Sequence, residues 1–81
     1  MNQQRMQLKG QLADAQHRYK ELDLRASGAI TLIYGYLNAE REVTGKKVPE
    51  AQIEMNRLAD IWRVMVDLKA EIAELEDALN G

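Results

Sequence analysis

The sequence predicts an all-α fold: a long antiparallel helical hairpin of the coiled-coil type, dimerising into a four-helix bundle. Three observations predict it. Apolar residues recur at alternating spacings of three and four in both halves of the chain, and turn-forming residues separate the halves. A chain of 81 residues is also near the size at which one copy buries too little apolar surface to fold alone. We therefore expect one hairpin domain, with helices over about residues 4–43 and 49–79 and a turn over 44–48.

The first half of the chain keeps one heptad phase from its start to residue 43. A helix broken at Ser27 and Gly28 has little reason to keep that phase, so we expect one helix that is bent near Gly28. A three-helix arrangement with a break at this point is the main structural alternative. With Leu12 at position a, the a positions are Arg5, Leu12, Tyr19, Ala26, Ile33 and Glu40, and the d positions are Met1, Leu8, Ala15, Leu22, Ala29, Tyr36 and Val43.

The turn is predicted from residues 44–49. Thr44 and Gly45 suit a left-handed C-terminal cap, Lys46 and Lys47 would complement the negative end of the first helix, and Pro49 suits the first turn of the second. A short connection makes the two helices antiparallel.

The second helix carries an apolar stripe that ends before Asn80 and Gly81. If the turn is centred near Lys46, Trp62 and Met65 lie opposite Ala29 and Ala26, so that large side chains face small ones. The stripe consists of Leu58, Ile61, Met65, Leu68, Ile72, Leu75 and Leu79.

Apolar residues near the turn spread beyond these stripes. The additional ones are Ile30, Leu32, Tyr34, Leu37, Met55, Trp62, Val64 and Val66. One hairpin covers only one face of each helix, so this excess predicts a homodimer. Gly28 and Gly35 either let two copies of the first helix approach closely or are tolerated defects. The predicted interface residues are Ala26, Ala29, Ile30, Ile33, Tyr36, Leu37, Met55, Leu58, Ile61, Trp62, Met65, Leu68, Ile72 and Leu75.

Charge and composition exclude several classes of protein. A net charge of -2 argues against a protein that mainly neutralises phosphates, and the absence of cysteine excludes disulfides and thiolate metal sites. The polar first residues lack the apolar core of a secretory signal, and the longest apolar stretch, residues 26–37, is too short for a membrane span. We expect a cytoplasmic protein.

No residue pattern predicts catalysis, a metal site or a cofactor. His17 and Asp14 fall at heptad positions that face solvent, and Ser27 is the one serine, without a cysteine or a nearby base. Carboxylate pairs one helical turn apart supply too few ligands for a hard cation. The expectation is a protein that is not an enzyme.

One enzyme family shares the outline of this chain. The segment from Gly45 to Pro49 is loosely similar to the first connection of the all-helical chorismate mutases, which are small dimers with a long first helix. That family needs convergent basic side chains and a third helix to close its site. The present chain has no residues left for a third helix, and no catalytic residue is carried over. The arginines of this chain that do not follow the family's spacing are Arg5, Arg18, Arg25, Arg57 and Arg63.

The expected function is a non-enzymatic, homo-oligomeric interaction or assembly module, of the kind found among small accessory proteins of bacteria and their phages. Three alternatives stay open, and one of them is a small all-helical enzyme of the chorismate-mutase type. The chain could be an adaptor that presents its apolar face to a different protein. It could also bind nucleic acid weakly through Arg41, Lys46 and Lys47 in the turns.

Overall fold

Two long α-helices lie side by side in the computed structural model of the chain, which describes residues 3–38 and 40–81. Helix α1 spans Gln3–Tyr36 and helix α2 spans Val48–Asn80, with a short 3-10 turn at Val43–Gly45 between them. The rod measures 64 Å by 15 Å by 14 Å. No strand occurs in the described ranges, so the predicted helical hairpin is confirmed.

Helix α1 ends at Tyr36, seven residues before the predicted end at Val43, so that part of the prediction is wrong. Asn38 supplies the physical reason. Its side-chain oxygen accepts a hydrogen bond from the Glu40 amide at 2.9 Å, and its carbonyl accepts one from the Arg41 amide at 3.3 Å. Asparagine side chains that bond to nearby backbone compete with the helix and favour turns. The predicted heptad positions Glu40 and Val43 are therefore exposed.

The turn also differs from the prediction. Gly45 lies in the 3-10 turn, where its amide donates to the Glu42 carbonyl at 2.9 Å, and no described glycine has a positive φ. The predicted left-handed cap at Thr44 and Gly45 is wrong. Lys47 precedes α2 instead of following α1 closely, and its amide donates to the Tyr36 carbonyl at 3.1 Å. Pro49 lies in the first turn of α2, as predicted.

Helix α1 continues through Ser27 and Gly28 without interruption. The Thr31 hydroxyl donates to the Ser27 carbonyl at 3.0 Å, a bond that such side chains make one turn back in a helix. The alternative with three helices is therefore wrong.

Replacing Gly28 with alanine should stabilise the protein by about 1 kcal/mol, because glycine costs a helix interior roughly that much relative to alanine. A Cβ at this position meets nothing within 4 Å. Thermal unfolding should show the melting temperature rising by about 4–8 °C. A fall in melting temperature, or a loss of self-association, would instead support the close approach of two first helices at Gly28.

One continuous stripe on each helix is buried or half-buried, and we call the two stripes together the seam. Alternating spacings of three and four reach back from Leu58 to Glu54 and Ala51, two positions that the sequence analysis did not include. Arg5 is exposed at its predicted a position, and Met1 lies outside the described residues. The seam consists of Leu8, Leu12, Ala15, Tyr19, Leu22, Ala26, Ala29, Ile33 and Tyr36 on α1, and Ala51, Glu54, Leu58, Ile61, Met65, Leu68, Ile72, Leu75 and Leu79 on α2.

The helices pair in a different register from the predicted one. Ala15 packs in one cluster with Leu68 and Leu75, and the Arg5 guanidinium donates to the Leu79 carbonyl at 3.0 Å. Because the connection is longer than predicted, Ala29 shares a groove with Glu54 and Ile61. The predicted placement of Trp62 and Met65 opposite Ala29 and Ala26 is wrong.

The buried core is small. Its apolar members are mostly alanines, and no large side chain in the described residues is fully buried. Neither helix has an apolar segment long enough to cross a membrane within the described ranges. Two helices can bury only the stripe that each turns toward the other, so the remaining apolar side chains lie in solvent.

Candidate functional site

Large exposed apolar side chains concentrate near the turn. Trp62 is 62% exposed and Tyr34 is 76% exposed, although both are large aromatic residues. All the additional apolar residues named from the sequence are exposed in the hairpin, and Val48 and Ile53 join them. Single exposed apolar residues are ordinary, but a contiguous group of them marks an interaction surface.

Heptad positions divide these residues between two flanks of the hairpin. In an antiparallel pair, the e positions of both helices lie along one flank and the g positions along the other. On the e flank, the e positions of both helices and the neighbouring b positions are apolar near the turn, with the exception of Gln52 at a b position of α2. We call this surface the turn-end face. It consists of Ile30, Tyr34, Leu37, Val48, Met55, Ala59, Trp62 and Val66.

The opposite flank is more polar and carries a shallow groove of about 480 Å³. Arg25 and Arg57 line this groove together with Gly28, Leu32 and residues of the seam. Leu32 and Val64, which the sequence analysis grouped with the other apolar residues near the turn, lie on this flank and do not extend the turn-end face.

The turn-end face stops halfway along the rod. Beyond it, the same heptad edge carries Gln16 and Lys20 on α1, which line a small groove with Tyr19 and Ile72 of the seam. Lys69 and Glu76 occupy the corresponding edge of α2. The apolar surface is therefore confined to the half of the hairpin that contains the turn.

The predicted interface residues fall into two sets. One set lies in the seam between α1 and α2 of a single chain: Ala26, Ala29, Ile33, Tyr36, Leu58, Ile61, Met65, Leu68, Ile72 and Leu75. The other set lies on the turn-end face and is exposed: Ile30, Leu37, Met55 and Trp62. The hairpin itself thus uses the first set, and the second set is free to contact another molecule.

Glu54 is a buried carboxylate in the seam that the sequence analysis missed. The residue is 8% exposed, and its Oε1 accepts a hydrogen bond from the Arg57 guanidinium at 3.2 Å. The signal was present, because continuing the alternating spacing back from Leu58 leads directly to position 54. Glu54 was not predicted to lie in the seam because it is acidic, and the predicted stripe contains only apolar residues.

Replacing Glu54 with leucine should raise the free energy of unfolding by about 1 kcal/mol. A buried leucine contributes about 1.5–3 kcal/mol, and the lost pair with the largely exposed Arg57 offsets part of this gain. Urea unfolding should show a higher midpoint with an unchanged slope. Glu74→Leu is the matched control, because it removes the same charge from an exposed position. A destabilised Glu54→Leu protein would mean that the carboxylate makes a contact that the seam requires.

Two further ion pairs are local to one helix. His17 Nε2 lies 3.0 Å from Glu21 Oε1, and Arg63 donates to Asp60 at 3.0 Å, each within one helix and exposed. No group of three or more metal-ligating side chains occurs in residues 3–38 and 40–81.

Basic side chains near the turn lie close to acidic ones in the sequence. Arg41 and Lys47 line a shallow cleft beside Tyr36, and the Lys47 ammonium lies 6.0 Å from the centre of the Tyr36 ring. Glu40, Glu42 and Glu50 flank them in sequence. This mixture does not form a basic surface of the kind that tracks a phosphate backbone.

No protein-family model matches the chain, and neither a curated protein nor a solved structure matches it.

Proposed function

We propose that the protein is a non-enzymatic assembly module that forms a homodimer through the turn-end face. The single observation that carries this proposal is the contiguous apolar surface near the turn, with Trp62 at 62% exposure. Two such faces packed together make a four-helix body at the turn end.

The apolar surface that a single hairpin leaves exposed to solvent supports association. Burying one large apolar side chain contributes about 1.5–3 kcal/mol, and the turn-end face holds several of them. Within the described chain, the seam buries mainly alanine and leucine. Small domains usually gain the missing stability from a disulfide, a metal or oligomerisation, and this chain has no cysteine.

A second copy of the chain fits the dimensions of the face. On α2 the face is about 27 Å long, from Val48 to Val66 at 1.5 Å per residue, and on α1 it is about 10 Å long, from Ile30 to Leu37, each helix being about 10 Å wide. Two faces of this size bury on the order of 750 Å² in total, which is the size of a weak interface.

The charge of the face also suits self-association. None of its members is charged, so two copies related by a two-fold axis meet without like-charge repulsion. Charged residues lie beside it, as the polar rim of an interface does. The cytoplasm is the compartment we propose, since a chain without cysteine gains nothing from an oxidising one.

The test is sedimentation of the purified chain across micromolar concentrations. We expect a mass about twice the 9.2 kDa of one chain, with the tryptophan fluorescence of a shielded indole. A folded species of 9.2 kDa with a solvent-exposed indole at every concentration contradicts the homodimer and favours an adaptor for a different protein. Retention on nucleic acid at low salt by the monomer would favour the basic turn instead.

A further inference from the structure

We propose that the groove between Arg25 and Arg57 binds an α-amino acid with an apolar side chain. The groove lies on the flank opposite the turn-end face, so this inference is independent of the proposed homodimer. Its volume of about 480 Å³ is within the range of small-molecule sites. Its lining combines charges of both signs with an apolar floor.

Glu54 supplies the buried charge of the groove. The residue is buried and lines the groove, and within the described residues its carboxylate accepts one side-chain hydrogen bond, from Arg57 at 3.2 Å. A carboxylate has room for about four hydrogen bonds, and a buried charge with few partners is unfavourable. A donor in the groove therefore gains a hydrogen bond to Glu54, and an ammonium group is a donor that also balances the negative charge.

Two guanidinium groups supply the opposite charge. The Arg57 side chain is 69% exposed, so it keeps accessible N–H groups besides the one that bonds to Glu54. Arg25 lines the groove from α1 and belongs to none of the ion pairs found in residues 3–38 and 40–81. Guanidinium groups bind carboxylates through two parallel hydrogen bonds. The groove therefore favours a ligand that carries a carboxylate as well as an ammonium group.

The spacing of the charges indicates an α-amino acid. Glu54 and Arg57 contact each other, and the ammonium and carboxylate groups of an α-amino acid are attached to the same carbon atom. One ligand molecule can thus donate to Glu54 and accept from Arg57 at the same time. Its side chain then lies over Leu32 and Ile61, beside Gly28, where even a Cβ would meet nothing within 4 Å.

A ligand site also explains why an acidic residue lies in the seam. Glu54 is the one charged residue among the seam positions, and a leucine there is expected to make the hairpin more stable. Packing within the hairpin therefore gives no reason for the carboxylate. Residues that lower the stability of a fold are expected at sites that bind a ligand.

Titration with L-leucine tests the proposal, and two analogues with the same apolar body are matched probes. Isocaproate lacks the ammonium group of leucine, and leucinamide lacks its carboxylate. Amide chemical shifts measured by NMR on the isotope-labelled chain report binding. We expect leucine to shift the amides of Gly28, Leu32 and Glu54 with a Kd of about 1 mM, and each analogue to bind about 10-fold more weakly or worse. Isocaproate or leucinamide binding as tightly as leucine would overturn the proposal, and so would the absence of any shift at millimolar leucine.

Two substitutions locate the site. Glu54→Gln and Arg25→Gln each remove one charge from the groove and should weaken leucine binding about 10-fold or more. Glu74→Gln and Arg63→Gln are the matched controls, because they remove the same charges from exposed positions outside the groove, and they should bind like the unmodified protein. Helical circular dichroism confirms that each variant is folded. If either groove variant binds leucine like its control, the assigned site is wrong.

Discussion

Trp62→Ala weakens self-association by about 30-fold or more in Kd, which corresponds to roughly 2 kcal/mol of binding free energy. The indole is 62% exposed in the single hairpin, so its removal takes little from the fold of one chain. In the proposed dimer the same side chain is buried against the other copy, and tryptophan is among the residue types that most often dominate binding. Sedimentation over a concentration series measures the change in Kd.

Leu24→Ala is the matched control for this experiment. Leu24 is also a large, exposed apolar residue, at 74% exposure, but its heptad position faces outward and away from the turn-end face. We expect it to dimerise like the unmodified protein. If Trp62→Ala keeps the unmodified Kd and the full helical circular dichroism signal, the turn-end face is not the interface.

Leu68→Ala is expected to have the second large effect, which is a loss of stability of the single hairpin. Leu68 is 6% exposed and belongs to the buried cluster with Ala15 and Leu75. Truncating a buried leucine costs about 2–5 kcal/mol, from lost burial and from the cavity that remains. At about 4–8 °C per kcal/mol for a domain of this size, the melting temperature should fall by about 10 °C or more.

The comparison must be made at matched protein concentrations, because the stability of a dimer depends on concentration. Leu24→Ala again serves as the control, since it deletes the same atoms from an exposed position. A Leu68→Ala protein that melts with the control would show that the distal seam contributes nothing to stability. The Leu68 and Trp62 substitutions together separate the packing within one chain from the packing between chains.

Much of the fold could be predicted because heptad periodicity is a local property. Leu58, Leu68 and Leu75 share a face whatever the partner is, since the side-chain directions follow from 3.6 residues per turn. The same reasoning placed Leu12 and Ala15 in the α1 stripe, and both are half-buried or buried. Apolar periodicity does not predict Glu54 as a seam residue, because its side chain is acidic although its position continues the repeat.

The end of α1 was harder to predict. The heptad phase continues to Val43 in the sequence, but the side chain of Asn38 forms a backbone hydrogen bond that a helical continuation does not use. Periodicity reports which residues share a face if the chain is helical, and it does not report where the helix stops. Because the predicted end of α1 lies seven residues after the observed end at Tyr36, the predicted register between the two helices is wrong as well.

The sequence by itself determined that the chain forms two amphipathic helices, which residues line each apolar stripe, and that apolar surface near the turn exceeds the stripes. Tertiary structure alone decided where α1 ends and at which height the two helices pair. The physical reason is that side-chain direction along a helix is set by local geometry, whereas the height of one helix against another depends on the path of the connection, here held by the bond from Lys47 to Tyr36.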